Sequence, residues 1–270
     1  MGPLLIRRLF SRNITVISKE VNVPDNERVL IGGEWRGADA TEAFRSINPG
    51  TGETLEWSYP VSRRADIDVA LEAGSVAASE LLHTPVDKIA DFLEHYACLI
   101  GENSSELSQV ANLETALPVS PRFVEIELPR TIDQLRQAAT AVRDRGWTMP
   151  TIDTATNIRS MHGPLGAPVA VFGPNNFPFA YNALAGGDFA AAIAVRSPVI
   201  AKAHPSHPRT SQLLAGVAFQ AIQDTGLPPA TLQMVYHMAP EDGFYLVSHS
   251  LIGATGYTGS RRAGLALKAA

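Results

Sequence analysis

Residues 167–202 read APVAVFGPNNFPFAYNALAGGDFAAAIAVRSPVIAK, and this stretch decides the fold class of the chain. It contains two short apolar runs, at 167–172 and 198–202, with the length and composition of buried strands. The Ala-rich stretch 179–195 lies between them and is apolar nearly all round, which predicts a buried helix despite two glycines. A strand, a helix and a strand in this order predict a parallel βαβ unit.

The chain beyond Lys202 continues the alternation of strands and helices. The sequence predicts a helix at 208–225, a strand at 232–235, a short helix at 241–248, a strand at 251–255 and a last helix opened by Thr258, Gly259 and Ser260. Gly226, with Pro228 just beyond it, is a stop signal for the first of these helices. Strands that alternate with helices imply right-handed crossovers, so the predicted fold is α/β with a doubly wound parallel sheet.

Three segments outside this region predict short strands joined by turns. They lie at 29–36, 44–57 and 147–163. In the second of them, Asn48–Gly52 is a turn sequence whose glycines can take positive φ. The third is polar and rich in threonine, which predicts an exposed hairpin rather than a core strand.

A helical region is predicted between these strands. Its first helix runs from 62 to 82, with Ser62 as the cap. The apolar stripe of this helix consists of Ile67, Leu71, Ala78, Leu81 and Leu82. Further helical stretches are predicted near 85–101, 103–113 and 120–145.

Composition and charge exclude several classes of protein. The net charge of −5 and the pI near 5.8 argue against nucleic-acid binding, because phosphate affinity requires clustered Lys and Arg. No apolar run approaches the roughly 18 residues that span a bilayer, so no membrane partner is expected. Cys98 is the single cysteine, which excludes an internal disulfide and a Cys-based zinc site, and no metal site is predicted. One cysteine fits a reducing compartment, and this predicts a cytoplasmic protein.

The N-terminal arm, residues 1–28, has two interpretations. Arg7, Arg8 and Arg12 precede the first acidic residue, Glu20, with serines and apolar residues between them. This pattern resembles an organellar targeting peptide. A disordered start or a misassigned start codon also explains these residues, and the sequence favours it because the arm is short and Pro3 interrupts any early helix.

Three groups of unusual residues follow three of the predicted parallel strands. Gly173–Pro178 follows the first strand, Lys202–Pro208 the second and Gly256–Gly264 the fourth. The carboxyl ends of parallel strands meet at one edge of the sheet, where ligands of such folds bind. This coincidence predicts a nucleotide site at that edge, although no Gly-x-Gly-x-x-Gly fingerprint follows any of these strands.

Each group offers chemistry suited to a nucleotide, and each also has a purely structural explanation. Gly259 and Ser260 at a helix start offer free N–H groups to a pyrophosphate, but serine is also a good helix cap. The ammonium of Lys202 reaches hydroxyls or a phosphate from a strand end, or it belongs to an ordinary surface lysine. The amide of Asn176 donates to a developing oxyanion, or it bonds its own backbone in a turn.

Two other features invite a catalytic interpretation. Glu125, Glu127 and Asp133 suggest paired catalytic carboxylates, but no His or Asn converges on them, so a solvated helix face is predicted. Cys98 lies in the helical run 92–100 among apolar residues. It is predicted to be a buried, inert cysteine rather than a nucleophile.

The motifs together resemble the aldehyde dehydrogenase superfamily in order and spacing. They are Asn175-Asn176-Phe177-Pro178, Lys202-Ala203-His204-Pro205 and Tyr257-Thr258-Gly259-Ser260 with Gly264, and Ile31–Trp35 and Asn48–Glu53 look like the first strands of that family. The resemblance covers about residues 29–267. Ala185–Asp188, Lys202–Pro205 and Gly259–Arg262 are similar to the branch that oxidises 2-oxoglutarate semialdehyde.

The resemblance implies NAD(P)-dependent oxidation of a small-molecule aldehyde and assigns roles to matching residues. Asn176 is the expected oxyanion-holding amide. Lys202 is expected to contact the adenosine ribose, Gly243 to let the backbone approach the coenzyme, and Ser260 to bind the pyrophosphate. The remaining expected coenzyme-binding residues are Phe172, Gly173, Pro174, Asn175, His204, Pro205 and Gly259.

Two departures from the family pattern bear on the coenzyme. NAD-preferring members often carry a glutamate three residues after the lysine, and here Pro205 takes that place. No acid then repels a 2′-phosphate, so NADP is expected to be tolerated or preferred over NAD. Asn175 stands where many relatives have a tryptophan, which weakens any inference about stacking in the pocket.

The resemblance also implies a domain organisation. A coenzyme-binding domain is expected at 29–146 and 164–270, with the segment 147–163 as a hairpin that pairs subunits in a homo-oligomer. The nucleophilic cysteine and the water-activating glutamate of the family are expected beyond the helix that Gly259 and Ser260 open, and no residue here is assigned to either role. The catalytic domain is therefore expected to be missing and this chain by itself to be inactive. The alternatives are an inactive nucleotide-binding or interaction fragment, and an unrelated doubly wound binding module.

Overall fold

The computed structural model describes residues 26–270; the Arg-rich start of the N-terminal arm lies outside the described residues. The strands are β1 Val29–Ile31, β2 Glu34–Arg36, β3 Ala43–Phe44, β4 Tyr59–Pro60, β5 Thr151–Asp153, β6 Ile158–Ser160, β7 Val169–Phe172, β8 Val199–Lys202, β9 Leu232–Val235 and β10 Ala254–Tyr257. The helices are α1 Arg64–His83, α2 Val86–Glu102, α3 Ser104–Thr115, α4 Leu128–Asp144, α5 Gly187–Ala194, α6 Pro208–Thr225, α7 Pro240–Ser248 and α8 Arg261–Ala269. A π-helical segment, Val119–Glu127, leads into α4.

Six strands form one sheet in the order β10-β7-β8-β9-β1-β2. The pairs β10–β7, β7–β8 and β8–β9 are parallel, and β1 joins β9 antiparallel. The chain runs outward from β7 through β8 to β9 and then returns to the other side of β7 as β10. With right-handed crossovers, α5 and α6 cover one face of the sheet and α7 covers the other. The predicted α/β class with a doubly wound parallel sheet is confirmed.

Helix α6 begins and ends where the sequence predicts. Pro208 lies in its first turn, where the missing N–H would have had no helical partner. Gly226 follows the helix with φ +64° and its N–H donates to the carbonyl of Gln223, as expected of a glycine that ends a helix. Strands β7 and β9 on either side of β8 are buried along their whole length, which explains the continuous apolar sequence of β7. The buried Gln233 of β9 donates to the Ala70 carbonyl at 2.7 Å.

The buried helix predicted at 179–195 is shorter than predicted. Helix α5 begins only at Gly187, and residues 179–186 form turns. The side chain of Asn182 accounts for the difference, because its amide donates to the Pro178 carbonyl and its Oδ1 accepts from the N–H of Leu184. Asparagine side chains that bond the nearby backbone compete with helix formation.

The start of α1 also differs from the prediction. Arg63, not Ser62, is the N-cap of the helix. Ser62 is fully buried, and its hydroxyl accepts from the N–H of Tyr236 at 3.1 Å. Leu82 is 37% exposed and does not belong to the buried stripe, because Leu81 takes the core-facing position and successive helical residues point about 100° apart.

The last strand is shifted relative to the predicted range 251–255. Its pairing with β7 starts at Ala254, opposite Val169, and continues to Tyr257. Leu251 and Ile252 pack partly buried against the core ahead of the strand, so their apolar character reflects packing rather than pairing.

The short strands of the first half are only partly as predicted. β1 and β2 form a hairpin over residues 29–36. The segment 44–57, however, does not form a hairpin of its own. β3 pairs with β4, which lies beyond residue 57, and within the segment only an isolated bridge between Ile47 and Thr54 flanks the predicted turn. In that turn the N–H of Gly50 donates to the side chain of Asn48, and Gly52 has φ +76°. Strands β5 and β6 form an exposed hairpin.

Within residues 26–270, no helix combines the length and the hydropathy that crossing a membrane requires.

Candidate functional site

The three residue groups predicted to share an edge of the sheet do lie at one edge. β7 ends at Phe172, which is the register partner of Lys202 at the end of β8 and of Tyr257 at the end of β10. The N–H of Thr258 donates to the Phe172 carbonyl at 3.0 Å. The strand order reverses between β7 and β10, so the loops after these two strands flank the crevice where such sheets bind ligands.

The loop after β7 contains Gly173–Asn176 and is tightly packed at its start. A Cβ on Gly173 would lie 2.8 Å from the Tyr181 carbonyl oxygen, so only glycine fits there. The carbonyl of Pro174 lies 2.9 Å from Nε2 of the buried His207, which joins this loop to the loop after β8. Asn175 and Asn176 are exposed. The side-chain amide of Asn176 makes no hydrogen bond with the described residues, so it does not bond its own backbone.

Glu127 is buried, and the prediction that it lies on a solvated face is wrong. Its Oε1 accepts from the N–H groups of Phe179 at 2.8 Å and of Ala180 at 3.1 Å. Its Oε2 accepts from Nε of Arg122 at 3.1 Å. Burial raises the pKa of the Glu127 carboxyl despite these donors. Glu125 and Asp133 are exposed, as the sequence predicts.

Arg122 connects this carboxylate to the loop that carries Asn176. Its Nη2 donates to the backbone carbonyl of Asn176 at 2.8 Å. Its guanidinium also lies 4.3 Å from the ring centroid of Phe177. Together with Glu127, Arg122 therefore contacts both ends of the segment 176–180. Sequence reasoning missed this pair, because its partners are more than fifty residues away along the chain.

The end of β8 is surrounded by imidazoles. Lys202 is partly buried at the end of β8, and burial lowers its pKa to about 8. Burial, together with His207, Lys202 and His237, lowers the pKa of His204 to about 3. Burial and Lys202 also lower the pKa of His237. The rings of His204 and His207 are stacked with centroids 5.3 Å apart.

Pro205 lines a small cavity next to this cluster. The cavity has a volume of about 300 Å³ and is lined by Arg45, Ser46, Ile47, Pro49, Glu114, Pro205 and Ser206. Glu114 is buried, and it accepts hydrogen bonds from the N–H groups of Arg209 and Thr210 in the first turn of α6. Burial raises the pKa of Glu114 to about 7, although these N–H donors act in the opposite direction. The N-terminus of α6 is thus occupied by a side chain.

The loop after β10 leads into α8 through a serine cap. The Oγ of Ser260 accepts from the N–H of Ala263 at 3.3 Å, so the capping explanation of this serine is observed. Its hydroxyl proton remains available to a ligand. A Cβ on Gly259 would lie 2.5 Å from the hydroxyl of Tyr257, so a larger residue there would displace the Tyr257 side chain. Gly243 is buried in α7, but a Cβ there would meet no atom within 4 Å.

Cys98 is exposed, and the prediction that it is buried is wrong. The buried residues of α2 are Ile89, Ala90, Phe92, Leu93, Tyr96, Ala97, Leu99 and Ile100. Cys98 lies outside this stripe, with its Sγ 3.5 Å from Glu102 one turn later. It lines a cavity with residues of α2 and α4 and is not among the residues at the sheet edge.

The family model and the curated relatives that match this chain all belong to the same family. The model of the aldehyde dehydrogenase family matches residues 35–270. The chain is 36% identical over 249 residues to alpha-ketoglutaric semialdehyde dehydrogenase 2 of Azospirillum brasilense, covering 88% of this chain and 46% of that protein. It is 34% identical over 252 residues to alpha-ketoglutaric semialdehyde dehydrogenase of Acinetobacter baylyi, covering 90% and 47%. The chain thus spans about half the length of the curated relatives it matches.

Solved structures share the fold. Succinate-semialdehyde dehydrogenase from Burkholderia pseudomallei matches with a TM-score of 0.79 and 24% identity, over 93% of this chain and 50% of that one. An NADP complex of NADP-dependent glyceraldehyde-3-phosphate dehydrogenase from Bacillus halodurans C-125 matches with a TM-score of 0.78 and 22% identity, over 90% and 50%. At these identities the likeness concerns the fold.

Proposed function

The chain belongs to the aldehyde dehydrogenase family, and on that premise we propose that it forms the coenzyme-binding part of an NAD(P)-dependent enzyme that oxidises an aldehyde to a carboxylic acid. The observation that carries the proposal is the register of β7, β8 and β10, whose common ends place the segments that contain Asn176, Lys202 and Ser260 at one edge of the sheet. Hydride acceptance is the chemistry of the bound nicotinamide. The residues of this chain bind and orient the coenzyme.

Each part of the coenzyme has a matching group at the edge. The N-terminus of α8, with Gly259 and Ser260, suits a pyrophosphate, because backbone N–H groups and the helix dipole favour an anion there. Lys202 suits the adenosine ribose, and the open space at Gly243 suits close approach of the coenzyme to α7. Phe172, Gly173, Pro174 and Asn175 line the path toward the nicotinamide, while His204 and Pro205 flank the ribose. Pro205 favours NADP over NAD, since no carboxylate grips the ribose hydroxyls.

Asn176 is the proposed oxyanion donor. Its amide is exposed and unpaired within residues 26–270, so it is free to donate to the oxygen of a reacting carbonyl. Arg122 and Glu127 act through it as positioning residues, because they bind the backbone on both sides of Phe177. A side chain that donates to an oxyanion is effective only when it is held in place before the reaction.

The proposed substrate is a semialdehyde that carries a carboxylate, with 2-oxoglutarate semialdehyde as the first candidate. The names of the two relatives above support it. The site supports it as well, because the Arg122 guanidinium donates to the Asn176 carbonyl at 2.8 Å, and Arg130 donates to the hydroxyl of Tyr181, whose ring packs against Phe177. Guanidinium groups close to the oxyanion donor suit the recognition of a carboxylate.

Calorimetric titration of the purified chain with NADP and with NAD tests the coenzyme site. We expect binding of NADP, and loss of about tenfold or more in affinity for Lys202→Met, because the ammonium is removed while the length of the side chain is kept. Lys88→Met is the matched control. Lys88 is exposed and contacts Gly226 at the C-terminal end of α6, away from the sheet edge, so this substitution should leave the affinity for the coenzyme unchanged. Absence of binding of either coenzyme, or equal effects of the two variants, would contradict the proposal.

The domain organisation, assembly and location are also proposals. We propose that 29–146 and 164–270 form one coenzyme-binding domain and that the hairpin in 147–163 pairs subunits of a homo-oligomer. The exposed Ile152 and Ile158 on that hairpin support the pairing. A cytoplasmic location is supported by the single cysteine, which suits a reducing compartment.

A further inference from the structure

The segment 174–178, which carries Asn176, is held by side chains rather than by backbone pairing. Three alternate carbonyls of this segment each accept a hydrogen bond from a side chain: Pro174 from His207 at 2.9 Å, Asn176 from Arg122 at 2.8 Å and Pro178 from Asn182 at 2.8 Å. Among residues 26–270, no backbone N–H donates to these three carbonyls. The position of Asn176 therefore depends on the elements from which the three side chains come.

His207 reaches this segment from the loop after β8. It is the N-cap residue of α6 and only 1% exposed. A carbonyl oxygen can only accept, so Nε2 of His207 carries the ring proton and donates it to the Pro174 carbonyl. Burial lowers the pKa of His207, so the ring is neutral at neutral pH. The proposed chemistry uses no proton of this buried imidazole, so its contribution is the bond to Pro174.

The same histidine is joined to the expected ribose end of the coenzyme site. Its ring stacks on that of His204, with centroids 5.3 Å apart and planes 24° from parallel. The N–H of His207 donates to the His204 carbonyl at 3.1 Å, and the N–H of Ser206 donates to Nδ1 of His204 at 3.2 Å. Pro205 and Pro208 further restrict the backbone of this turn. The two rings are therefore held in one mutual arrangement.

The first turn of α6 also contacts the far end of the segment. The hydroxyl of the buried Ser211 lies 3.2 Å from the His207 carbonyl, to which it donates, and it accepts from Nδ2 of Asn182 at 3.3 Å. That amide nitrogen is the one that also donates to the Pro178 carbonyl. The start of α6 is thus connected to the backbone on both sides of Asn176.

We propose that His207 is a positioning residue that couples the ribose end of the coenzyme site to the loop of Asn176, so that occupation of the first fixes the second. The inference rests on the proposed function and adds to it the connection between the two ends of the site. A ligand that contacts His204 restrains the ring on which His207 stacks, and His207 holds the carbonyl two residues before Asn176. Binding that favours one arrangement of the turn 204–207 thereby favours one arrangement of the segment 174–178.

Hydrogen exchange followed by mass spectrometry, with ADP as the probe, measures this coupling. ADP carries the adenosine ribose and the diphosphate but lacks the nicotinamide half, which is the part expected next to Asn176. Calorimetric titration establishes the concentration at which ADP saturates the chain. We expect saturating ADP to slow exchange of the amides at 204–207 and also, on the order of tenfold, at 175–177, since couplings between sites commonly reach this size.

His207→Gln and His207→Asn form a matched pair. The glutamine amide reaches about as far as Nε2 and can donate to the Pro174 carbonyl, whereas the asparagine amide is one methylene shorter and cannot. The slowing at 175–177 should be kept in the glutamine variant and fall below about twofold in the asparagine variant, while the slowing at 204–207 remains in both. A histidine with a purely structural role would change stability and leave the response of 175–177 to ADP intact. His162→Asn, on the exposed hairpin segment, is the control and should change neither response.

Thermal melting of each variant checks that it is folded, and the wild-type comparison with and without ADP decides the question even where a variant does not fold. Bound ADP with no change at 175–177 in the wild-type chain, or equal responses of folded glutamine and asparagine variants, would overturn this inference and leave the proposed function standing. Failure of the wild-type chain to bind ADP, NAD and NADP would overturn the proposed function, and this inference with it.

Discussion

Glu127 shows how a single buried side chain supports the candidate site from a distance. Its carboxylate accepts hydrogen bonds from two backbone N–H groups and from the guanidinium of Arg122, in place of the water that would otherwise bind these donors. Hydrogen bonds to a charged acceptor are stronger than neutral ones, and leaving buried donors unpaired is costly. The position of Asn176 therefore depends on a residue that takes no part in the chemistry.

Glu127→Ala should lower the free energy of unfolding by about 3 kcal/mol, because Arg122 and two backbone N–H groups lose their acceptor. Urea denaturation measures the change. Glu125→Ala is the matched control on the same segment; Glu125 is exposed, so a change within about 0.5 kcal/mol is expected. Equal stability of the two variants would show that the buried bonds contribute nothing.

Pro205→Glu should shift the ratio of the affinities for the two coenzymes toward NAD. A carboxylate at this position repels a 2′-phosphate and accepts hydrogen bonds from the two ribose hydroxyls, so NADP should weaken and NAD should gain, each by about tenfold. Pro205→Gln is the control, since it provides a side chain of similar size without the charge. A Pro205→Glu variant that keeps the original ratio of affinities would contradict the assignment of this position to the ribose.

At the scale of elements, the loop after β7 depends on close backbone contacts. Residues 173–183 fold back so that Gly173 lies against the backbone of Tyr181 and Ala183. The same fold-back brings the N–H groups of Phe179 and Ala180 to Glu127. Because residues 179–186 form turns and not the first part of α5, Arg122 and Glu127 can bind the backbone of the segment 176–180 at both of its ends.

Gly173→Ala should destabilise the protein by about 1–3 kcal/mol, because its Cβ would lie 2.8 Å and 2.9 Å from two backbone atoms that are held in turns. Gly216→Ala is the control within α6, where a Cβ meets nothing within 4 Å. That substitution should stabilise by about 0.5–1 kcal/mol through helix propensity. Thermal or chemical unfolding of both variants gives the comparison, and changes of the same sign would contradict the packing argument.

At the scale of the whole molecule, the three most exposed large apolar side chains of the described residues, Met161, Ile152 and Met149, lie on the β5–β6 hairpin and its flanks. Met149, Ile152, Ile158 and Met161 are between 56% and 72% exposed. Exposed apolar groups on one projecting element are typical of surfaces that bind a partner.

Replacing both Ile152 and Ile158 with lysine should shift the chain toward the monomer in light scattering coupled to size-exclusion chromatography, because burial of these side chains would drive assembly. Val76→Lys is the control, since Val76 is 61% exposed on α1 and lies outside the hairpin. An oligomer that survives the double substitution would place the interface elsewhere. A wild-type chain that is monomeric at high concentration would contradict the proposed role of the hairpin.

The sequence by itself determined the elements of the sheet and the edge on which the site lies. Buried parallel strands are short apolar runs, helix ends carry proline and glycine signals, and a right-handed crossover permits few arrangements. These features are local or follow from chain order. For that reason the ends of α6 and the common edge of Phe172, Lys202 and Tyr257 were predictable without coordinates.

Only the tertiary structure decided the environment of the individual side chains. Glu127 meets its backbone donors 52 and 53 residues further along the chain, and the charge of Lys202 acts on His237 only because β8 and β9 are neighbours in the sheet. Cys98 and Leu82 are exposed although their neighbours in sequence are apolar. Burial and pKa depend on contacts between distant segments, and the periodicity of a sequence reports only which residues share a face.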